Sequence, residues 1–228
     1  PRGHVAVPEP NRRIATDITT CWTRKDGTVA IVPTIDCGCR TVELVVTKDQ
    51  HGPAVLASVR QKLVASFGRP ENVPADVELR TDHGPQYTGA DCDALCEEWH
   101  LSHTFAPVGR PTGNAVAERV IRTLKEEVVW LRDWDDIDEL RAALAAWVRR
   151  YNEQRPHRAI GRRTPGEAYR ATPMAHPAGR GAHGHFRLRY DIADRKGAIT
   201  LRRGGRLYHL KIGAAFARRR VLAIVDAK

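Results

Sequence analysis

The sequence predicts a mixed α/β domain, a five-stranded mixed sheet flanked by helices, followed by a small β-barrel. Three observations carry this. The first is element order: three strands, then helix, strand, helix, strand, helix, helix, an alternation that suits a sheet covered by helices. The second is a Gly- and His-rich stretch, Pro177 to Gly184, that interrupts the chain before a run of short strands with Gly turns. The third is charge. The 228 residues hold 37 Lys plus Arg against 27 Asp plus Glu, and 13 basic against 3 acidic residues lie between Ala175 and Lys228, so the last segment accounts for the whole net charge of +10. A basic module joined to a neutral one points to a polyanionic partner, nucleic acid first.

The elements follow in order. Arg13 to Thr23 is rich in Thr and Ile and reads as a strand, closed by the turn signal Lys25-Asp26-Gly27. Thr28 to Ile35 and Thr41 to Thr47 are β-branched runs that complete an antiparallel meander. Pro53 to Phe67 places Val55, Val59, Leu63 and Phe67 at helical spacing, and Gly68 stops the helix. Val77 to Thr81 is a short strand, Ala90 to Trp99 a helix and Leu101 to Ala106 a strand. A loop from Pro107 to Gly113 leads to Asn114, read as the N-cap of a helix running to about Arg132. Asp136 and Glu139 have capping-box spacing for a second helix with the stripe Ile137, Leu140, Leu144, Trp147, Val148 and Tyr151. The expected domains are a linker at 1–12 cut from a longer chain, a core at 13–172, a linker at 173–184 and a small basic barrel at 185–228.

Composition excludes several classes. Apolar residues make up 42% of the chain, enough for a core, and no apolar run reaches the roughly 18 residues of a membrane span. Five cysteines, an odd number, fit a reducing compartment better than a disulfide scaffold. Neither Cys37/Cys39 nor Cys92/Cys96 has C-x-x-C spacing, so the reading is small buried hydrophobes rather than a zinc site.

Three carboxylates stand out. Asp17 lies inside an apolar-leaning strand, where an unpaired charge is costly. Asp82 follows a strand end and precedes His83-Gly84-Pro85, and Glu118 lies in the first turns of a helix. Singly, each has a structural explanation in a turn or a helix dipole. Together, brought to one sheet edge, they form an all-oxygen cluster that suits hard divalent cations.

These residues also carry a family resemblance. Between Asp82 and Glu118 lie 35 residues, the spacing of the D,D-35-E transposase and integrase superfamily. Thr16-Asp17-Ile18-Thr19 resembles the "TDIT" strand of insertion-sequence transposases, and Thr81-Asp82-His83-Gly84-Pro85-Gln86-Tyr87-Thr88 their "SDxGxQYT" segment. Asn114-Ala115-Val116-Ala117-Glu118 resembles "NAxxE", while Tyr151-Asn152, Arg155-Pro156-His157 and Thr164-Pro165 match a "YN..RPH......TP" tail. The resemblance covers roughly Arg13 to Ala171. It implies a ribonuclease H-like core, with Asp17, Asp82 and Glu118 holding two divalent ions, Mg²⁺ with Mn²⁺ as a substitute. It implies cleavage of DNA element ends followed by strand transfer to target DNA, by a homo-oligomer, dimer or tetramer, in the bacterial cytoplasm at the nucleoid. The tail resembles the small SH3-like barrel of some transposases and integrases.

Basic residues are the candidate DNA contacts. Arg122 and Lys125 share the helix face of Glu118; the alternative for Arg122 is an intrahelical pair with Glu118. His83 and Gln86 either contact substrate or hold their loop. Asn114 either contacts DNA or, preferably, caps its helix. Arg155, Arg158, Arg162 and Arg163 form one basic stretch and Arg203, Arg206, Arg218 and Arg219 another, suited to phosphate. The competing functions are a non-catalytic DNA-binding or bridging protein and a ribonuclease H-like nuclease that only hydrolyses.

Overall fold

The computed structural model describes residues 4–7, 9–74, 77–106, 114–171, 186–203 and 206–226. The chain divides into two compact units, residues 8–179 and residues 1–7 with 180–228.

The first strand, β1 (His4–Ala6), pairs antiparallel with a strand of the C-terminal region. Residues 4–6, expected to belong to a linker, are therefore ordered by a sheet. His4-Val5-Ala6 is short and β-compatible, and pairing satisfies the backbone groups that a linker leaves to water.

The larger unit is built on a mixed sheet. Strand β2 (Arg13–Thr16) and strand β3 (Thr19–Thr23) both pair antiparallel with the long β4 (Gly27–Asp36), which pairs on its other side with β5 (Val42–Thr47). The expected meander is present, but its first strand is broken at Asp17 and Ile18, so the five-stranded sheet counts as six strands. Helix α1 (Gly52–Phe67) ends at Gly68, which takes φ +74° and donates its N–H to the Val64 carbonyl. Strand β6 (Glu78–Thr81) then runs parallel to β2, and β7 (Ser102–Phe105) parallel to β6. Between them lie the short α2 (Pro85–Thr88) and α3 (Ala90–Glu98).

Strand β4 is the centre of this sheet, buried from Val29 to Asp36. Ala30 and Val32 join a cluster with Val55, Val59 and Leu63 of α1, Leu79 of β6, and Cys92, Leu95 and Cys96 of α3. Val29 and Ile31 are equally buried and, by strand alternation, face the other way. There α4 (Ala115–Glu127) packs on β2 and β4, and α5 (Ile137–Glu153) on β5. Helix α4 stops at Glu127 rather than near Arg132, because the β-branched pair Val128-Val129 leads into a single tighter turn, Val129–Leu131. At the start of α5, Asp136 accepts from the Glu139 N–H at 2.9 Å, while Glu139 reaches the Asp135 N–H.

The last turn of α5 and the segment after it form a clamp. Asn152 accepts from the Val42 N–H and donates to the Val42 carbonyl, both at 2.9 Å, closing the free edge of β5. Thr164 and Glu167 form a capping box around Pro165 at the start of α6 (Pro165–Ala171). Truncating Asn152→Ala unpairs both Val42 groups. The expected loss is about 1–3 kcal/mol of unfolding free energy, read by denaturant titration; an unchanged midpoint would contradict the clamp.

The smaller unit contains β8 (Phe186–Ile192), flanked by β1 and by β11 (Arg220–Asp226), and a hairpin of β9 (Ala198–Arg203) and β10 (Arg206–Lys211). All pairs are antiparallel. The expected linker at 173–184 lies outside the described residues.

Candidate active site

Register brings two of the three acidic residues together. Strands β2 and β6 are parallel neighbours with Ile14 opposite Leu79 and Ala15 opposite Arg80. Continued past both strand ends, the same register sets Asp17 opposite Asp82. Both lie at carboxyl ends of adjacent parallel strands, where open α/β sheets place their ligand sites.

The two carboxylates are held differently. Asp17 Oδ1 accepts the Ile18 N–H at 2.8 Å, at the break between β2 and β3. Asp82 is exposed and its Oδ1 accepts the Gly84 N–H at 2.9 Å, a turn that fixes the carboxylate over the strand end. A Cβ on Gly84 would stand 2.3 Å from the Gln86 amide nitrogen and 3.0 Å from Asp82 Oδ1, so a larger residue there would displace the Gln86 side chain.

Glu118 is delivered by α4. Asn114, expected to cap the helix, does not use its side chain for that; its Nδ2 donates to the Thr16 carbonyl at 3.0 Å. The backbone carbonyl of Asn114 accepts the Glu118 N–H, so one residue ties the first turn of α4 to the strand immediately before Asp17. The bond reaches across 98 residues, and spacing along the chain gives no sign of it. Below Asp17 runs a buried hydroxyl chain: Thr16 to Tyr87 at 3.4 Å, Thr34 to Thr16 at 3.2 Å and Thr34 to Ser58 at 2.8 Å. Tyr87, wholly buried, links the loop of Asp82 to the strand of Asp17.

Asp17 feels the charges of the other two carboxylates. The Asp17 carboxyl is pushed up from 3.8 to about 6, chiefly by burial; its bond to Ile18 N–H opposes this, and the charges of Asp82 and Glu118 add to it. Among the described residues the acidic ligand atoms do not all come within 4.8 Å of one another; the group that does is Cys92, Cys96 and His103.

Several basic candidates have protein partners. Arg155 is paired with Glu127, which also accepts from Trp147 Nε1 at 2.8 Å, so it anchors the end of α5 rather than offering a free charge. Arg122 pairs with Glu126 at 2.8 Å, one turn further along than the anticipated Glu118. Arg163 donates to the Ile160 carbonyl at 3.2 Å. The His83 ring stacks on Phe105 at 4.7 Å, which favours a loop-holding role. Gln86 is half-buried beside Gly84. Lys125 is half-buried with its ammonium 5.9 Å from the centre of the Trp130 ring. Arg158, Arg162, Arg218 and Arg219 are exposed, while the side chains of Arg203 and Arg206 lie outside the described residues.

The chain and its fold have counterparts among known proteins. Two family models, both described as integrase core domain, match residues 7–111 and 96–165 and together span well over half of the chain. The chain belongs to the integrase core family. Among curated relatives, an uncharacterized protein of insertion element IS136 from Agrobacterium fabrum is 29% identical over 98 residues, covering 43% of this chain and 50% of that protein. A putative transposase InsD of insertion element IS2E from Escherichia coli K12 is 27% identical over 171 residues, covering 74% of this chain and 78% of that protein. The integrase-core chain thus spans about half the length of the first of these relatives. Among solved structures, a simian T-cell lymphotropic virus intasome superposes with a TM-score of 0.61 at 19% identity, over 97% of this chain and 83% of that one. The catalytic core domain of bovine immunodeficiency virus (BIV) integrase gives 0.52 at 23% identity, over 70% and 93%. The mixed sheet with flanking helices is therefore the ribonuclease H-like fold of retroviral integrase cores.

Proposed function

We propose that the chain is the catalytic part of a DDE-type transposase, with Asp17, Asp82 and Glu118 as ligands of two divalent cations, Mg²⁺ or its substitute Mn²⁺. The observation that carries this is convergence. The β2/β6 register and the Asn114 tether bring three oxygen-donor side chains to one sheet edge, where the charges of Asp82 and Glu118 both raise the Asp17 pKa. A donor set of carboxylates alone fits hard divalent ions, and the phosphodiester chemistry proposed for it is that of a two-ion site. When bound, such ions activate the attacking oxygen of a phosphodiester transfer and stabilise the leaving one. The chain's own part is to hold the carboxylates still: Asp82 through Gly84, Asp17 through Ile18, Glu118 through Asn114. The relatives agree in kind, since InsD is named a transposase and an HTLV-2 integrase core has been solved in complex with magnesium.

The reaction follows as cleavage of a DNA element end to free a 3′-hydroxyl, then attack of that hydroxyl on target DNA. Joining two ends in one event requires two such sites, so the working form is a homo-oligomer. The C-terminal unit, with its antiparallel strands and Arg-rich sequence, serves as an SH3-like phosphate-binding module. The test is product analysis: the chain, Mg²⁺, a labelled duplex carrying the end of its own element, and target plasmid. Labelled strands lengthened by joining are expected. Bound but intact DNA would mean a binding protein, and cut but unjoined DNA a nuclease.

The exposed pair Arg218 and Arg219 gives a second expectation. Each phosphate contact contributes about one unit to the slope of log K against log salt. Replacing both by Ala flattens the slope by about two, measured by fluorescence anisotropy on non-specific duplex. An unchanged slope would remove them from the interface.

A further inference from the structure

We propose that Cys92, Cys96 and His103 form a binding site for a thiophilic divalent cation of the zinc class, separate from the acidic cluster. Cys92 and Cys96 are one turn apart on α3, and His103 lies on the neighbouring β7. Their ligand atoms all lie within 4.8 Å of one another. Cys92 Sγ stands 3.9 Å from His103 Nδ1. Metal–sulfur and metal–nitrogen bonds of about 2.3 and 2.0–2.1 Å, at tetrahedral to trigonal angles, separate the two ligand atoms by roughly 3.6–3.8 Å. A shift of a few tenths of an ångström therefore closes the site.

The tautomer of His103 is set for this. Thr81 Oγ1 donates its proton to the Asp82 carbonyl at 2.8 Å, so toward His103 it accepts, and the 3.0 Å contact is Nε2–H donating to Thr81. Nδ1 is then unprotonated and turns its lone pair toward Cys92. A histidine whose far nitrogen is oriented by a hydrogen bond is the usual form of a metal-ligating imidazole. Burial lowers the His103 pKa, while the Cys92–Cys96 hydrogen bond lowers the pKa of Cys92 and raises that of Cys96, so an incoming cation must displace the Cys96 proton. Cys92 and Cys96 are buried and His103 is half-buried, so the histidine side is the opening, where solvent supplies the fourth ligand. C-x-x-x-C spacing hid the site from a linear reading: two cysteines four apart share a helix face but need a third ligand from another element.

The test is a Co²⁺ titration of the full chain under reducing conditions, followed by visible absorption and native mass spectrometry. A thiolate-to-cobalt charge-transfer band that saturates at one equivalent is expected, beside any Co²⁺ held by the acidic cluster, which gives no such band, and one equivalent of Zn²⁺ abolishes it. Cys96→Ser and His103→Gln each lose the band, while Cys39→Ser and Asp82→Asn keep it. Thr81→Val, which removes the orienting hydroxyl, weakens binding about 10- to 100-fold. Absence of the band in the unaltered chain would overturn the site without recourse to any variant. So would a band that survives Cys96→Ser. Failure of this site leaves the transposase reading untouched, because the two sets share no ligand.

Discussion

Asp82→Asn binds DNA with the unaltered salt dependence and neither cuts nor joins it. The substitution is nearly isosteric, and the Asn carbonyl oxygen still accepts the Gly84 N–H that Asp82 Oδ1 accepts at 2.9 Å, so the loop keeps its shape. What is lost is a charge at the mouth of the cluster. Metal-assisted charge stabilisation is worth several kcal/mol, and each 1.36 kcal/mol is tenfold in rate. The expected fall in strand-transfer rate is therefore on the order of 10³-fold or more, read as joined product against time in Mg²⁺. Activity within tenfold of the unaltered chain would remove Asp82 from the site.

Asp17→Asn also abolishes joining, yet it stabilises the metal-free protein at neutral pH. Asp17 is raised from 3.8 to about 6 in the folded chain, first by burial and then by its acidic neighbours. A raised pKa means that the folded state binds the proton more tightly than the unfolded one. The associated stability is present in full below pH 3.8 and is lost as pH rises through about 6. Above that, the folded chain carries an ionised, half-buried carboxylate beside two others. The interval corresponds to about 3 kcal/mol at most, and about 2 kcal/mol after allowing for partial exposure of Asp17. For a protein of this size that raises the melting temperature of Asp17→Asn by about 4–8 °C at pH 7, while at pH 3.5 the two proteins melt together. Added Mg²⁺ reverses the order, because only the unaltered chain gains by binding it. Equal melting temperatures at pH 7 without metal would show that the cluster stores no repulsion.

The parts of the fold legible in the sequence were those fixed by local pattern. The meander from Arg13 to Thr47 and the helix ended by Gly68 rest on β-branched runs, helical spacing and a glycine stop, and each is present. Asp17, Asp82 and Glu118 stood out in the sequence because their spacing and flanking words are tied to short elements. Contacts between distant segments were not legible. Asn114 has the composition of a cap, but the Thr16 carbonyl lies within reach only after α4 packs on β2, and the buried side chain takes that partner. Arg155 looks like a free phosphate-binding charge until α5 folds back and Glu127 meets it. The strand at His4–Ala6 needed β8, some 180 residues away, to give it a partner.

The most direct test of the account is a Mn²⁺ soak of crystals of the chain, with anomalous diffraction collected at the manganese edge. The account predicts anomalous peaks bounded by the carboxylates of Asp17, Asp82 and Glu118, lost in Asp82→Asn crystals soaked in the same way. Manganese bound elsewhere, with those three side chains making no contact to it at saturating concentration, would contradict the proposal that this sheet edge is a metal-dependent DNA-joining site.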